Sequence, residues 1–75
     1  MPDKLPVLTW REIIKALGKK DFHVTHQRGS HIYLTDPEKK HKVTVPRHDQ
    51  VKWGTLLSII EESGMTREDF LGLLG

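Results

Sequence analysis

Apolar residues fall into two rhythms along this chain. Trp10, Ile13, Ile14 and Leu17 recur at the spacing i, i+3, i+4, i+7, which predicts an amphipathic helix. Thr9 stands at the N-cap position with Glu12 three residues on, a capping-box pattern, and Gly18 supplies the stop. From Phe22 the period changes to two. Phe22 and Val24 alternate with His23 and Thr25, Ile32 and Leu34 with His31 and Tyr33, and Val43 and Val45 with Lys42 and Thr44. Each run predicts a strand with one buried and one wet face. The helical spacing returns at Trp53, Leu56, Leu57 and Ile60 and ends at Gly64. A short last helix opens with Thr66 and Asp69, a second capping box, and carries Phe70, Leu71 and Leu74. Pro2 and Pro6 mark an extended lead-in.

Turn lengths predict the register. If Gln27-Arg28-Gly29 is a three-residue loop, His26 pairs with Ser30, Val24 faces Ile32 and Phe22 faces Leu34. If Pro37-Glu38-Lys39-Lys40 is a four-residue loop, Leu34 faces Val43 and Ile32 faces Val45. Both choices gather the apolar residues on one side of an antiparallel meander, and a slip of one residue would scatter them. The expected fold is α+β: a helix, a three-stranded antiparallel sheet, a helix and a short C-terminal helix. The helices cover the apolar face, because nothing else in the chain can. The other face stays open and carries His23, Thr25, His31, Tyr33, Thr35, Lys42 and Thr44. Trp10 and Trp53 are expected in the core.

Composition narrows the picture. Seventy-five residues make a single domain, 1–75, with its core at about 9–71. There are no cysteines, which fits a reducing cytoplasm. Met1-Pro2-Asp3-Lys4 lacks the apolar run of a signal peptide, and no stretch is long and apolar enough to cross a bilayer. The formal net charge of +2, with five histidines uncounted, permits a nucleic-acid partner without demanding one.

Three chemistries deserve weighing. Five histidines invite a metal, but His23 and His26 are separated by an odd number, which on a regular strand sends their rings to opposite faces. With no thiolates and no carboxylates beside them, neither a metal nor a cofactor is expected. Ser30 adjoins His31, yet strand neighbours point apart and no G-x-S-x-G elbow is present, so Ser30 reads as a turn residue. His31 remains as a lone acid–base residue. A single imidazole suffices where the substrate carries its own nucleophile, as RNA does in its 2′-hydroxyl. Arg28, Lys42, Arg47, His48 and the pair Lys19-Lys20 are candidate phosphate contacts, and Tyr33 is a candidate base-stacking platform. The alternative is a module that binds RNA or a protein without chemistry.

The run Phe22…Gln27-Arg28-Gly29-Ser30-His31-Ile32-Tyr33, the later Val43-Thr44-Val45-Pro46-Arg47-His48, and Gly54-Thr55-Leu56 leading to Ser63-Gly64-Met65 resemble the HicA toxin family, also called YcfA-like. The resemblance extends from about Trp10 to Phe70. It implies a double-stranded-RNA-binding-domain-like fold and a toxin of a type II toxin–antitoxin pair. It further implies metal-independent cleavage of mRNA, silenced by a HicB antitoxin, with the histidine of the G-S-H motif, here His31, as the functional one. Arg28, Ser30, Tyr33, Lys42, Arg47 and His48 are the expected RNA contacts. The chain departs from the family pattern at Asp21, where glycine usually precedes the strand aromatic, and at His26 before the turn. The helix that begins Val51-Lys52-Trp53-Gly54 and turns acidic at Glu61-Glu62 is poorly furnished to grip duplex RNA.

Overall fold

A computed structural model describes residues 7–74. Pro2, Pro6 and the Met1–Lys4 segment lie outside them. The element order is α1 (Trp10–Gly18), β1 (His23–Arg28), β2 (His31–Thr35), β3 (Lys42–Pro46), α2 (Trp53–Ser63) and α3 (Arg67–Leu71). The strands form one antiparallel sheet in the order β1-β2-β3. This is the expected α+β, double-stranded-RNA-binding-domain-like layout.

Local signals account for most of the boundaries. The Thr9 hydroxyl accepts the Glu12 N–H while the Glu12 carboxylate accepts the Thr9 N–H, so the capping box is complete. At the second cap, Thr66 accepts the Asp69 N–H. Gly64 closes α2 in the left-handed region at φ 80°, and its N–H donates to the Glu61 carbonyl.

The core joins Ile13, Ala16 and Leu17 of α1 to Ile32, Leu34, Val43 and Val45 of the sheet and to Leu56, Ile59 and Ile60 of α2. Phe22, Val51, Phe70 and Leu8 complete it, and Leu8 and Val51 are joined by an isolated antiparallel bridge. Both long helices pack against β3. β1 lies at the far edge of the sheet, and all six of its residues are exposed.

The second helix is rotated from its expected phase. Its buried stripe is Leu56, Ile59, Ile60 and Ser63, whereas Leu57 is half-buried and Trp53, on the first turn, is 46% exposed. Both stripes obey helical spacing and share Leu56 and Ile60; the position of β3 selects between them. Trp53 is therefore not a core residue. Trp10 is half-buried against the core, with the Arg47 guanidinium 5.3 Å and the Arg11 guanidinium 4.5 Å from its ring centre.

The β2–β3 register is as expected, with Leu34 opposite Val43 and Ile32 opposite Val45. The β1–β2 register is not. Arg28 pairs with His31, Gln27 with Ile32 and His26 with Tyr33, so the loop is the two-residue Gly29-Ser30. Gly29 has φ 59°, the positive φ that favours glycine at the first central position of a tight hairpin turn. A bulge at Thr25 then resets the pairing, placing Val24 opposite Leu34 and His23 opposite Thr35. His26 does not pair with Ser30, Val24 does not face Ile32, and Phe22 packs in the core outside the strand.

Candidate active site

The bulge decides what the open face carries. Cross-strand partners share a face, so three rows of side chains stand on it. Arg28, His31 and Pro46 form the first row, His26, Tyr33 and Thr44 the second, and His23, Thr35 and Lys42 the third. Without the extra residue at Thr25, His26 and Arg28 could not share this face with His23.

His31 opens β2 immediately after the turn and is exposed. Among the described residues, no side-chain hydrogen bond holds its ring. Arg28 is its direct neighbour across the strand pair. Ser30 sits in the turn, and its carbonyl accepts the Arg47 N–H at 2.7 Å. That bond ties the hairpin tip to the end of β3, beside Pro46, the other cross-strand neighbour of His31. The Arg47 side chain lies over Trp10, and the His48 carbonyl accepts the Trp10 N–H at 3.1 Å. Arg28, Ser30, His31, Arg47 and His48 therefore gather at one end of the sheet.

Lys42 does not join them. It pairs with Thr35, four residues from His31 along β2, a separation of roughly 13 Å at strand rise. Lys19 is also remote: its ammonium donates to the Leu73 carbonyl at 2.7 Å. Tyr33 stands between, one row from His31.

Sequence reasoning missed His26. Its ring stacks on Tyr33, with centroids 4.5 Å apart and planes inclined by 17°. Thr25 braces the pair: its hydroxyl donates to the Tyr33 carbonyl at 3.2 Å and lies 3.4 Å from His26 Nδ1. His23 and His26, expected on opposite faces, share the open one, because the bulge at Thr25 shifts the alternation by one residue. Among the described residues, no three histidine, cysteine or acidic side chains come together as a metal-ligand group. Thr35 was expected in the wet face but is buried at 8% exposure, flanked by His23 and Lys42.

His41, in the loop before β3, has a structural task. Its ring is 3.1 Å from the Asp36 carboxylate, whose Oδ1 accepts the Lys40 and His41 N–H groups. Desolvation raises the Asp36 pKa, but these hydrogen bonds together outweigh it and hold the carboxyl below its ordinary value.

Residues 10–65 match the family model described as HicA toxin of bacterial toxin-antitoxin. The chain belongs to the HicA toxin family. It is thus a toxin of a toxin–antitoxin system, with an antitoxin as its partner. A search of curated proteins finds no match. The match covers β1–β3 and α2 whole, including Gly29-Ser30-His31 and Pro46-Arg47-His48, and ends before Phe70, which is fully buried.

Proposed function

We propose that this HicA-family toxin is a metal-independent endoribonuclease that cleaves mRNA in the cytoplasm, with His31 as its single catalytic histidine. The observation that carries the reading is the juxtaposition of exposed His31 and Arg28 across the hairpin end of an otherwise open sheet face. The substrate's 2′-hydroxyl serves as nucleophile. The 2′-oxygen bonds to phosphorus and the bond from phosphorus to the 5′-oxygen breaks, leaving a 2′,3′-cyclic phosphate and a 5′-hydroxyl. His31 either takes the 2′-proton or gives one to the departing 5′-oxygen, and solvent handles the other. Arg28 is permanently charged and is suited to the phosphorane's developing negative charge. Ser30 and the backbone near Arg47 and His48 frame the phosphate side, and Tyr33 offers a ring to a neighbouring base. A HicB-type antitoxin neutralises the toxin by denying RNA access to this end of the sheet.

The test is cleavage of an RNA oligonucleotide in EDTA. Cleavage in the chelator, abolished by a 2′-deoxy substitution at the cut site, is expected. Cleavage only after a divalent ion is added, or unimpeded cutting of the deoxy-substituted strand, overturns the reading.

A further inference from the structure

The open face has a second feature, at the end of the strands away from His31. His23, His26, Tyr33, Thr35, Lys39 and Lys42 line a shallow hollow of about 420 Å³. Its walls combine two rings already stacked on each other with two ammonium groups. Among the described residues the ion pairs are Lys40 with Glu38 and His41 with Asp36, so neither Lys39 nor Lys42 is engaged by a carboxylate. No acidic side chain lines the hollow.

The braced aromatic pair sets the chemistry. The Thr25 hydroxyl donates to the Tyr33 carbonyl and lies 3.4 Å from His26 Nδ1, so it touches both partners of the stack. A flat ligand laid against the stack meets apolar ring faces and nearby cations. An unpaired nucleobase with its phosphate has those features. A base within duplex RNA does not, because its faces are covered and its edge is paired.

The spacing fits one strand running along the face. The hollow's Thr35–Lys42 row is roughly 13 Å from His31. That is about four nucleotides of a stacked strand, at ~3.4 Å each, and fewer in an extended one.

We propose that this hollow is a base-binding subsite for single-stranded RNA, seating a nucleotide a few positions from the bond at His31. The proposal rests on the ribonuclease reading for the placement of the cut, but the hollow's grip on RNA is measured without turnover.

The experiment uses the His31→Ala protein and fluorescence anisotropy with labelled single-stranded RNAs of two and six nucleotides. The six-mer is expected to bind more tightly than the dimer. His26→Ala and Lys42→Ala, each added to His31→Ala, are expected to weaken the six-mer and leave the dimer unchanged. Loss of one base stack corresponds to about five- to 150-fold for His26→Ala. Lys42 is exposed, so Lys42→Ala keeps the test alive if the His26 variant does not fold. Equal binding of dimer and six-mer, six-mer affinity unchanged in both variants, or equal affinity for duplex RNA overturns the subsite. So does a loss confined to the antitoxin protein, with RNA binding intact. If the six-mer is gripped as expected but protein with His31 cuts no RNA, the nuclease reading fails and the subsite stands. If both variants bind the six-mer as tightly as the His31→Ala parent while protein with His31 cuts RNA, the subsite fails and the nuclease reading stands.

Discussion

Gly64 is held in place by two separate physical demands, and Gly64→Ala tests both. Its φ of 80° lies in the left-handed region, where a Cβ costs about 1–2 kcal/mol. A Cβ built there would also lie 2.5 Å from His41 Nε2 and 3.0 Å from Cδ2, well inside the ~3.5–4.0 Å of an ordinary carbon contact. The ring must move by about 1 Å to relieve this contact. It cannot move freely, because its opposite nitrogen is 3.1 Å from Asp36 Oδ2. Disturbing that hydrogen bond costs about another 0.5–1.5 kcal/mol. The sum, about 1.5–3.5 kcal/mol, should lower the midpoint of thermal unfolding by roughly 6 °C or more for a domain this small. The assay is calorimetry or circular dichroism on four proteins: wild type, Gly64→Ala, His41→Ala and the double variant. In the His41→Ala background only the backbone strain remains, so Gly64→Ala should cost about 1 kcal/mol less there. An unchanged midpoint in Gly64→Ala refutes the strain argument. An equal cost in both backgrounds refutes the steric one.

Thr9→Ala removes the hydroxyl that accepts the Glu12 N–H, leaving the backbone N–H of residue 9 to the Glu12 carboxylate, and should cost about 1 kcal/mol in urea denaturation; no change would mean that α1 does not depend on its cap. Phe70→Ala should cost about 3–5 kcal/mol, read as a lower denaturation midpoint, because the ring is fully buried although α3 lies beyond the family match; a small loss would detach α3 from the core. Asp36→Asn should reveal a pH-dependent contribution. Desolvation raises this carboxyl, but the hydrogen bonds from His41 and Lys40 lower it more, so its folded-state value is depressed. The unfolded chain therefore binds more protons, and the contribution is present above the ordinary aspartate value of about 3.9 and lost as pH falls through the lower folded-state value. Urea titrations should show the gap between wild type and Asp36→Asn closing below about pH 4; a gap that widens on acidification contradicts the assignment.

Much of this fold was legible because local and global signals agreed. Thr9 and Glu12 name the start of α1 by themselves, and Gly64 names the end of α2. The β2–β3 register followed from four valines, leucines and isoleucines that had to share one face. β1 was misread because it is an edge strand with every residue exposed, so burial could not enforce an alternation there. The better signal was present in Gly29-Ser30, a two-residue turn that by itself pairs Arg28 with His31. Val24 argued against it, and the bulge at Thr25 reconciles the two. The same bulge hid the His26–Tyr33 stack, because a one-residue insertion in a strand leaves no periodic trace. Trp53 was misassigned for a different reason. Two apolar stripes are available on α2, and only the packed sheet chooses between them.

For the site, His31 was legible as a lone histidine following a turn. Lys42 was grouped with it because both share a face, but a shared face is not proximity when four residues of strand lie between.

The central claim is that His31 performs the chemistry, and single-turnover cleavage of a defined RNA in EDTA by wild type and by His31→Ala tests it directly. Circular dichroism and the unfolding midpoint establish that the variant is folded. The exposed position of His31 predicts an unchanged fold, and loss of a general acid–base predicts a rate lower by about 10²–10⁴-fold. A folded His31→Ala protein that cleaves within a few-fold of the wild-type rate would contradict the account.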